Sequence, residues 1–351
     1  MKKLSQKSKV NSTPKVLSKK VDKIIIEDGF SGFICKDGTK IKGSCASCSS
    51  QPCIKYTTSD IEPVAFRSFE KNPTNRVCPT HAIQINENGC AVIDSKLCIR
   101  CGLCLHRCPF SAIQFSILQD YCTVSSISES KYLIESTPSE QQTQIAELST
   151  LPKVVKFDKI TQTFCSDYQQ QLRNSVKKVP DLSEIIVRNS FINLGCPCAT
   201  KPAGNNHIRT EFFAQIEDKA IVGESEITNT DTLSVCRRIL DDLSVLISRN
   251  GFKYDDLIPV AVINGLPNKR TDFYEVITDI NNILGIQIST ITYYLLFVLN
   301  LFNIPLTISD LKKYVVGKEN FSLVEIIQTH ISDIMDIDAN IEDSGNYQPS
   351  K

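Results

Sequence analysis

The sequence predicts a mixed α/β chain in two parts, and three observations predict it. Closely spaced cysteines gather over residues 45–115, among short apolar stretches punctuated by Gly, Asp and Pro. A polar stretch follows. From about Lys153 strand-like and helix-like segments alternate, which is an α/β order and not a bundle.

The chain has 351 residues, 41% of them hydrophobic, so it supports at least one full core and allows two modest domains. Wholesale disorder, a collagen-like repeat and a disulfide-dense mini-protein are excluded. Fifteen cysteines stand beside only four histidines and no tryptophan. An odd, bunched set argues for metal ligation in a reducing compartment, and the expected location is the cytoplasm. Lys+Arg and Asp+Glu both number 39, yet residues 1–23 carry eight lysines against Asp22 alone. That segment reads as a basic flexible tail, or as an arm that contacts phosphates. It holds no apolar run of secretory length and no arginine of the mitochondrial kind.

The elements follow in order. Ile24–Ile26 and Gly32–Cys35 read as a hairpin within residues 24–43, punctuated by Asp28-Gly29 and Asp37-Gly38. It opens a first domain over 24–118. Residues 119–152, with Ser125, Ser126, Ser128, Ser130 and the Gln141-Gln142-Thr143-Gln144 run, read as a linker. In the second domain, 153–337, Leu182–Asn193 has helical spacing, and Thr210–Ile216 and Ala220–Ile227 look like strands around a Glu217–Lys219 turn. Asp231 can cap a helix that runs to Arg249 and closes at Gly251. Leu257–Ile263 is a buried-type strand, Asp272–Leu284 helical, Ile286–Thr292 strand-like and Tyr293–Phe302 helical. Ser322 and Glu325 form a capping-box pattern for a last helix to about Asp336, before an acidic tail over 338–351. Ile280 to Ser309 lacks charge, but Asn281, Asn282, Gln287, Asn300, Asn303 and Pro305 interrupt it. No run of about 18 apolar residues exists, so no membrane span is expected and a buried strand with a buried helix is.

Cys98-Ile-Arg-Cys101-Gly-Leu-Cys104-Leu-His-Arg-Cys108-Pro109 has the spacing C-x2-C-x2-C-x3-C-P. Three thiolates three residues apart can wrap one iron–sulfur cube, while the fourth reaches another. Cys78-Pro79-Thr-His-Ala82-Ile83-Gln84 recurs thirty residues later as Cys108-Pro109-Phe-Ser-Ala112-Ile113-Gln114. Residues 45–115 therefore resemble the bacterial dicluster ferredoxins, which bind two [4Fe-4S] clusters. The resemblance implies that Cys45, Cys48 and Cys53 join Cys108 on one cluster, and that Cys98, Cys101 and Cys104 join Cys78 on the other. Four residues rather than two separate Cys48 from Cys53, and twenty-four rather than three separate Cys53 from Cys78. The first departure leaves Cys35 as a substitute ligand, and structural zinc is the alternative at either site. Cys90 and Cys236 read as packed thiols, and Cys196-Pro197-Cys198 with His207 as a weaker metal candidate. His81 and His106 receive no role.

In the second domain, a tight hairpin around Asp218-Lys219 would place Glu211 opposite Glu226 and Glu224 opposite Phe213. Alternation then puts Glu211, Glu224 and Glu226 on one face, and a divalent cation, Mg2+ or Mn2+, would offset their charge. With Glu184 on the preceding helix, residues 180–300 weakly resemble the PD-(D/E)XK nuclease core, in which two strand acids hold magnesium against a phosphodiester. The family's lysine position is Glu226 here. The other reading is an acidic strand face turned to water. Arg237-Arg238 and Lys269-Arg270 are candidate phosphate contacts. No Walker loop, dinucleotide fingerprint or G-x-S-x-G appears. The sequence thus predicts an iron–sulfur protein for electron transfer or redox sensing, with a redox partner protein and an α/β effector domain. The alternative is an iron–sulfur nuclease acting on nucleic acid.

Overall fold

The computed structural model describes residues 17–27, 30–38, 40–42, 45, 48, 51–87, 89–108, 112–115, 122–124, 132–135, 162–228, 231–267 and 271–314. The helix expected after Ser322, the acidic tail, most of the linker, Lys269-Arg270 and the side chain of Cys35 lie outside them. Strands β1 (Leu17–Glu27), β2 (Phe30–Cys35) and β3 (Lys40–Lys42) form a meander, with Ile25 opposite Gly32. β1 thus takes in residues 17–23 of the segment read as a flexible tail. Its start pairs in parallel with β8 (Tyr132–Glu135), inside the stretch read as linker.

Two short hairpins follow in the cysteine-rich part. β4 (Ile83–Ile85) pairs with β5 (Ala91–Ile93), and β6 (Ile113–Gln114) with β7 (Thr123–Val124). Each begins at the isoleucine of a Cys-Pro-x-x-Ala-Ile repeat, so the sequence duplication is also a duplication of structure.

The rest is a five-stranded sheet in the order β13-β12-β11-β10-β9. β9 (Cys198–Thr200), β10 (Phe212–Ile216) and β11 (Lys219–Glu226) are antiparallel, and β12 (Leu257–Ile263) and β13 (Ser289–Thr292) continue from β11 in parallel. Helices cover both faces. On one side lie α1 (Gln162–Val176), α2 (Leu182–Asn193) and α5 (Tyr293–Leu301), around Phe212, Ala214, Ile221, Val260 and Ile291. On the other lie α3 (Thr232–Asn250) and α4 (Phe273–Leu284), around Phe213, Val222, Ala261 and Ile263. α6 (Ile308–Lys313) follows, with a reciprocal capping box between Thr307 and Asp310. The end signals act as expected. Asp231 accepts from the Ser234 amide at 3.2 Å, and Gly251 closes α3 at φ +75°.

The charge-free stretch is explained by α5, buried along its whole length. Among the described residues no helix is long and apolar enough to cross a membrane. The first apolar core does not stop at the sheet. It runs from Ile221 and α5 through Tyr168 and Phe191 to Val77, Leu103, Leu105 and Ile113 of the cysteine-rich part. The two halves are packed through one apolar core.

Within the β10–β11 ladder Gly223 faces Phe212, and a methyl group at Gly223 would strike that ring. Both residues sit in a filled core, so the ring has little room to withdraw. Gly223→Ala is expected to cost about 1–3 kcal/mol, seen as a lower urea midpoint with an unchanged slope.

Candidate metal centre

The two Cys-Pro repeats use sulfur in the same way. The Ala82 amide donates to Cys78 Sγ at 3.1 Å, and the Ala112 amide donates to Cys108 Sγ at 3.2 Å. The hairpins repeat a second contact. In the first, the Ala91 amide donates to Cys45 Sγ. In the second, the residue at the matching register position, Cys122, donates its amide to Cys98 Sγ at 3.4 Å. Backbone amides aimed at sulfur stabilise thiolate character, which both iron and zinc require of a cysteine.

The thiols fall into two sets, and the last cysteine of each run is exchanged. Cys53 feels the charge of Cys108, Cys48 and Cys45, and burial with that repulsion pushes it up to about 12. Cys45 is raised by burial and by Cys108. Cys101 is raised mainly by burial, then by Cys78 and Cys98. Cys78, Cys98, Cys101 and Cys104 line one small cavity, walled by apolar groups such as Ile83 and Leu103. Metal-free thiols in such surroundings stay protonated, so binding iron must release those protons. Sequence reasoning gave Cys122 no role, although it lies in this cavity, 1% exposed, and hydrogen-bonds through its thiol to Cys98 and Cys104. A cysteine at a strand start carries no spacing signal, and only the register reveals it.

The cysteine loops are braced from the other half of the chain. Arg188, 1% exposed on α2, donates to the carbonyls of Thr74 and, at 3.0 Å, Arg76. Asn189 donates to the carbonyls of Arg76 at 3.1 Å and Val77 at 2.7 Å, which fixes the approach to Cys78. Asn193 Nδ2 reaches the Leu103 carbonyl at 2.9 Å, between Cys101 and Cys104, and Tyr56 Oη donates to Asn193 Oδ1 at 2.9 Å. On α5, the Leu301 carbonyl meets His106 Nε2 at 2.7 Å, so this histidine acquires a structural role. Gly102, at φ +71°, brings its loop onto Leu301 and Phe297. The buried apolar helix therefore packs against the loop that carries Cys101 and Cys104.

Cys196 and Cys198 belong to the apolar core, and His207 lies exposed on a loop. The Cys-Pro-Cys segment is spent on β9. Cys236 is packed as expected, fully buried against the second core.

The carboxylates need correcting. The ladder pairs Phe212 with Gly223 and Ile216 with Lys219, so the turn is Glu217-Asp218 and Glu211 falls opposite Glu224, not Glu226. Glu217 at φ +50° makes the earlier turn. Glu226 accepts from the Thr228 amide at 2.8 Å and from its hydroxyl, and its charge also reaches Arg238. The face is not wet either, since Glu224 is 1% exposed beneath α3. Its Oε2 binds Arg238 Nε at 2.5 Å, its Oε1 accepts from the Glu211 amide at 3.1 Å, and it shares a hydrogen bond with Asp242. Glu211 Oε2 accepts from the Ser225 amide at 2.9 Å and hydroxyl at 2.7 Å, and its Oε1 lies 3.9 Å from Arg238. Glu184 on α2 is raised mainly by burial and then by Glu211. A guanidinium on the following helix thus supplies positive charge where a divalent cation was expected.

Comparison with known proteins bears on the cysteine-rich part. A family model described as the LdpA Fe-S cluster-binding domain matches residues 70–118. The formate dehydrogenase iron-sulfur subunit of Wolinella succinogenes is 42% identical over 43 residues, which are 12% of this chain and 22% of that protein. An uncharacterized ferredoxin of Methanocaldococcus jannaschii is 33% identical over 78 residues, 22% of this chain and 34% of that protein. A second uncharacterized ferredoxin of M. jannaschii is 35% identical over 51 residues, 14% of this chain and 33% of that protein. The chain spans about a fifth to a third of these relatives. No solved structure matches. The cysteine-rich part is an iron–sulfur, ferredoxin-like segment, and its all-thiol donors, amide–sulfur bonds and apolar walls fit such a group.

Proposed function

We propose that this protein carries two [4Fe-4S] clusters and exchanges electrons with a redox partner protein. Cys45, Cys48, Cys53 and Cys108 hold one, and Cys78, Cys98, Cys101 and Cys104 the other. The observation that carries the reading is the exchange of Cys78 and Cys108 between two thiol sets whose hairpins repeat the same amide–sulfur contacts. When bound, such clusters supply one-electron chemistry. The chain's own residues set the conditions: Ile83, Ile93, Ile99 and Leu103 give the second set apolar walls, and amides balance charge on the sulfurs. Cys98 also lines an open groove framed by Lys96, Gln170, Asn174 and Lys178, which gives the second set an approach from outside. The sheet and its helices, within residues 153–337, act as the effector domain that receives the partner or the redox signal, in the cytoplasm.

A metal-dependent nuclease acting on nucleic acid is the second reading, and the adjacency of Glu211 and Glu224 favours it. Arg238, which already balances the two carboxylates, weighs against it, so we rank it below electron transfer.

Anaerobically purified protein is expected to contain about eight irons and eight sulfides per chain. Cys108→Ala should remove the iron held with Cys45 and Cys48, and Cys78→Ala that held with Cys101. Electron paramagnetic resonance on the two variants distinguishes the sets. Zinc in place of iron would overturn the proposal, and a loss confined to the nearer triplet would overturn the exchange.

A further inference from the structure

The two halves of the cysteine-rich part differ at one informative place. At the hairpin position that donates its amide to the first cysteine of a run, the first half has Ala91 and the second has Cys122. The amide does the structural work in both, and alanine suffices for it. The Cys122 thiol is therefore an addition. It does not point into bulk apolar core: it lines the same cavity as Cys78, Cys98, Cys101 and Cys104, and it hydrogen-bonds to Cys98 and Cys104. This is a fifth sulfur where four suffice.

Its placement beside Cys98 matters because Cys98 is the member of the set that also lines the outer groove. Cys98 lines both the inner cavity and the groove beneath α1, whereas Cys122 is 1% exposed. A reagent arriving through the groove meets Cys98 first. We infer that Cys122 is a reserve ligand of the second iron–sulfur site, able to replace Cys98 or Cys104, its two hydrogen-bond partners, but not Cys78. This rests on the cluster reading given above. The exchange is simple in its chemistry. The Cys122 S–H bond breaks, its proton passes to water, and a sulfur–iron bond forms where the Cys98 sulfur–iron bond is missing. No electron is transferred.

The test is iron and sulfide content with paramagnetic resonance of anaerobically purified full chains. Cys98→Ala should keep the wild-type iron content, with a shifted second-site signal. Cys98→Ala with Cys122→Ala should lose about half, as is expected of Cys78→Ala alone. Cys122→Ala alone, which copies the Ala91 arrangement, should keep all of it. Equal loss in Cys98→Ala and Cys78→Ala would overturn the inference, as would full iron in the double variant. If the Cys98 variant does not fold, the same comparison at Cys104 decides. A wild-type protein without iron would instead sink the cluster reading, so the two failures are separate.

Discussion

Arg188→Met is expected to destabilise the protein by about 3 kcal/mol or more, and to empty the Cys78 site before the Cys45 site. The guanidinium is fully buried and held by oxygens of the backbone and of Asn189, whose Oδ1 it binds at 2.7 and 2.9 Å. Burial lowers its pKa. Methionine fills the same volume but strands the Thr74 carbonyl and the Asn189 amide oxygen, each at a cost of about 1–3 kcal/mol, and leaves the Arg76 carbonyl with Asn189 Nδ2 as its donor. Relief of the buried charge returns part of this. The larger consequence is geometric, because residues 74–77 lead directly into Cys78 and α2 is their anchor. Urea midpoints together with iron content check both parts. A variant with the parental midpoint and full iron would mean that α2 is not what holds the loop.

Much of the second half was legible because its signals are local. Leu182–Asn193 and Leu257–Ile263 have the bounds that their spacing predicts, and Asp231 and Gly251 cap α3 as read. α1 carried no such signal: its sequence, QTFCSDYQQQLRNSV, is largely polar, and it is helical with Tyr168 and Leu172 turned into the core. β9 was missed because three residues beside a Pro show no period, and only pairing with β10 makes them a strand. A shared core could not be read either, since a polar stretch between two compositions looks like a linker whether or not the flanking parts pack together.

The site divides along the same line. Thiol spacing is a local record of cluster chemistry, so the cysteine runs were readable from the chain alone. The sulfur of Cys122, the brace from Arg188, Asn189 and Asn193, and the His106 contact are long-range and left no pattern. The expected pairing of the carboxylates differs from the observed one by a two-residue shift of register. Moving the turn to Glu217-Asp218 keeps Glu211 and Glu224 on one face, as alternation requires, but changes which acids meet. Arg238 was noted as a phosphate contact, whereas it lies against Glu224 from the facing side of α3.

That arrangement has a pH signature. Burial, then repulsion from Glu211, relieved in part by Arg238, pushes Glu224 up to about 7; burial and Glu224 push Asp242 up to about 8. Lys201 and a hydrogen bond from Thr210 act on Asp242 in the opposite sense. The pair shares a proton between the two carboxyls near neutrality, while the unfolded chain has released both by about pH 5. Between those limits the folded state binds more protons than the unfolded one, so stability must fall as pH rises from about 5 to about 8 and level off above. Each unit of upward shift is worth about 1.4 kcal/mol, and relaxation around the buried pair, whose partner Arg238 stands partly in solvent, trims the sum, so a loss on the order of 3 kcal/mol is expected. Asp242→Asn supplies a permanent amide donor in place of the shared proton and leaves Glu224 as a carboxylate against Arg238. The variant should match the parent near pH 5, exceed it by about that amount near pH 8, and show a nearly flat profile. Urea midpoints at the two pH values measure this directly. Parallel profiles for parent and variant would mean that the two carboxyls do not share a proton, and that Arg238 alone balances Glu224.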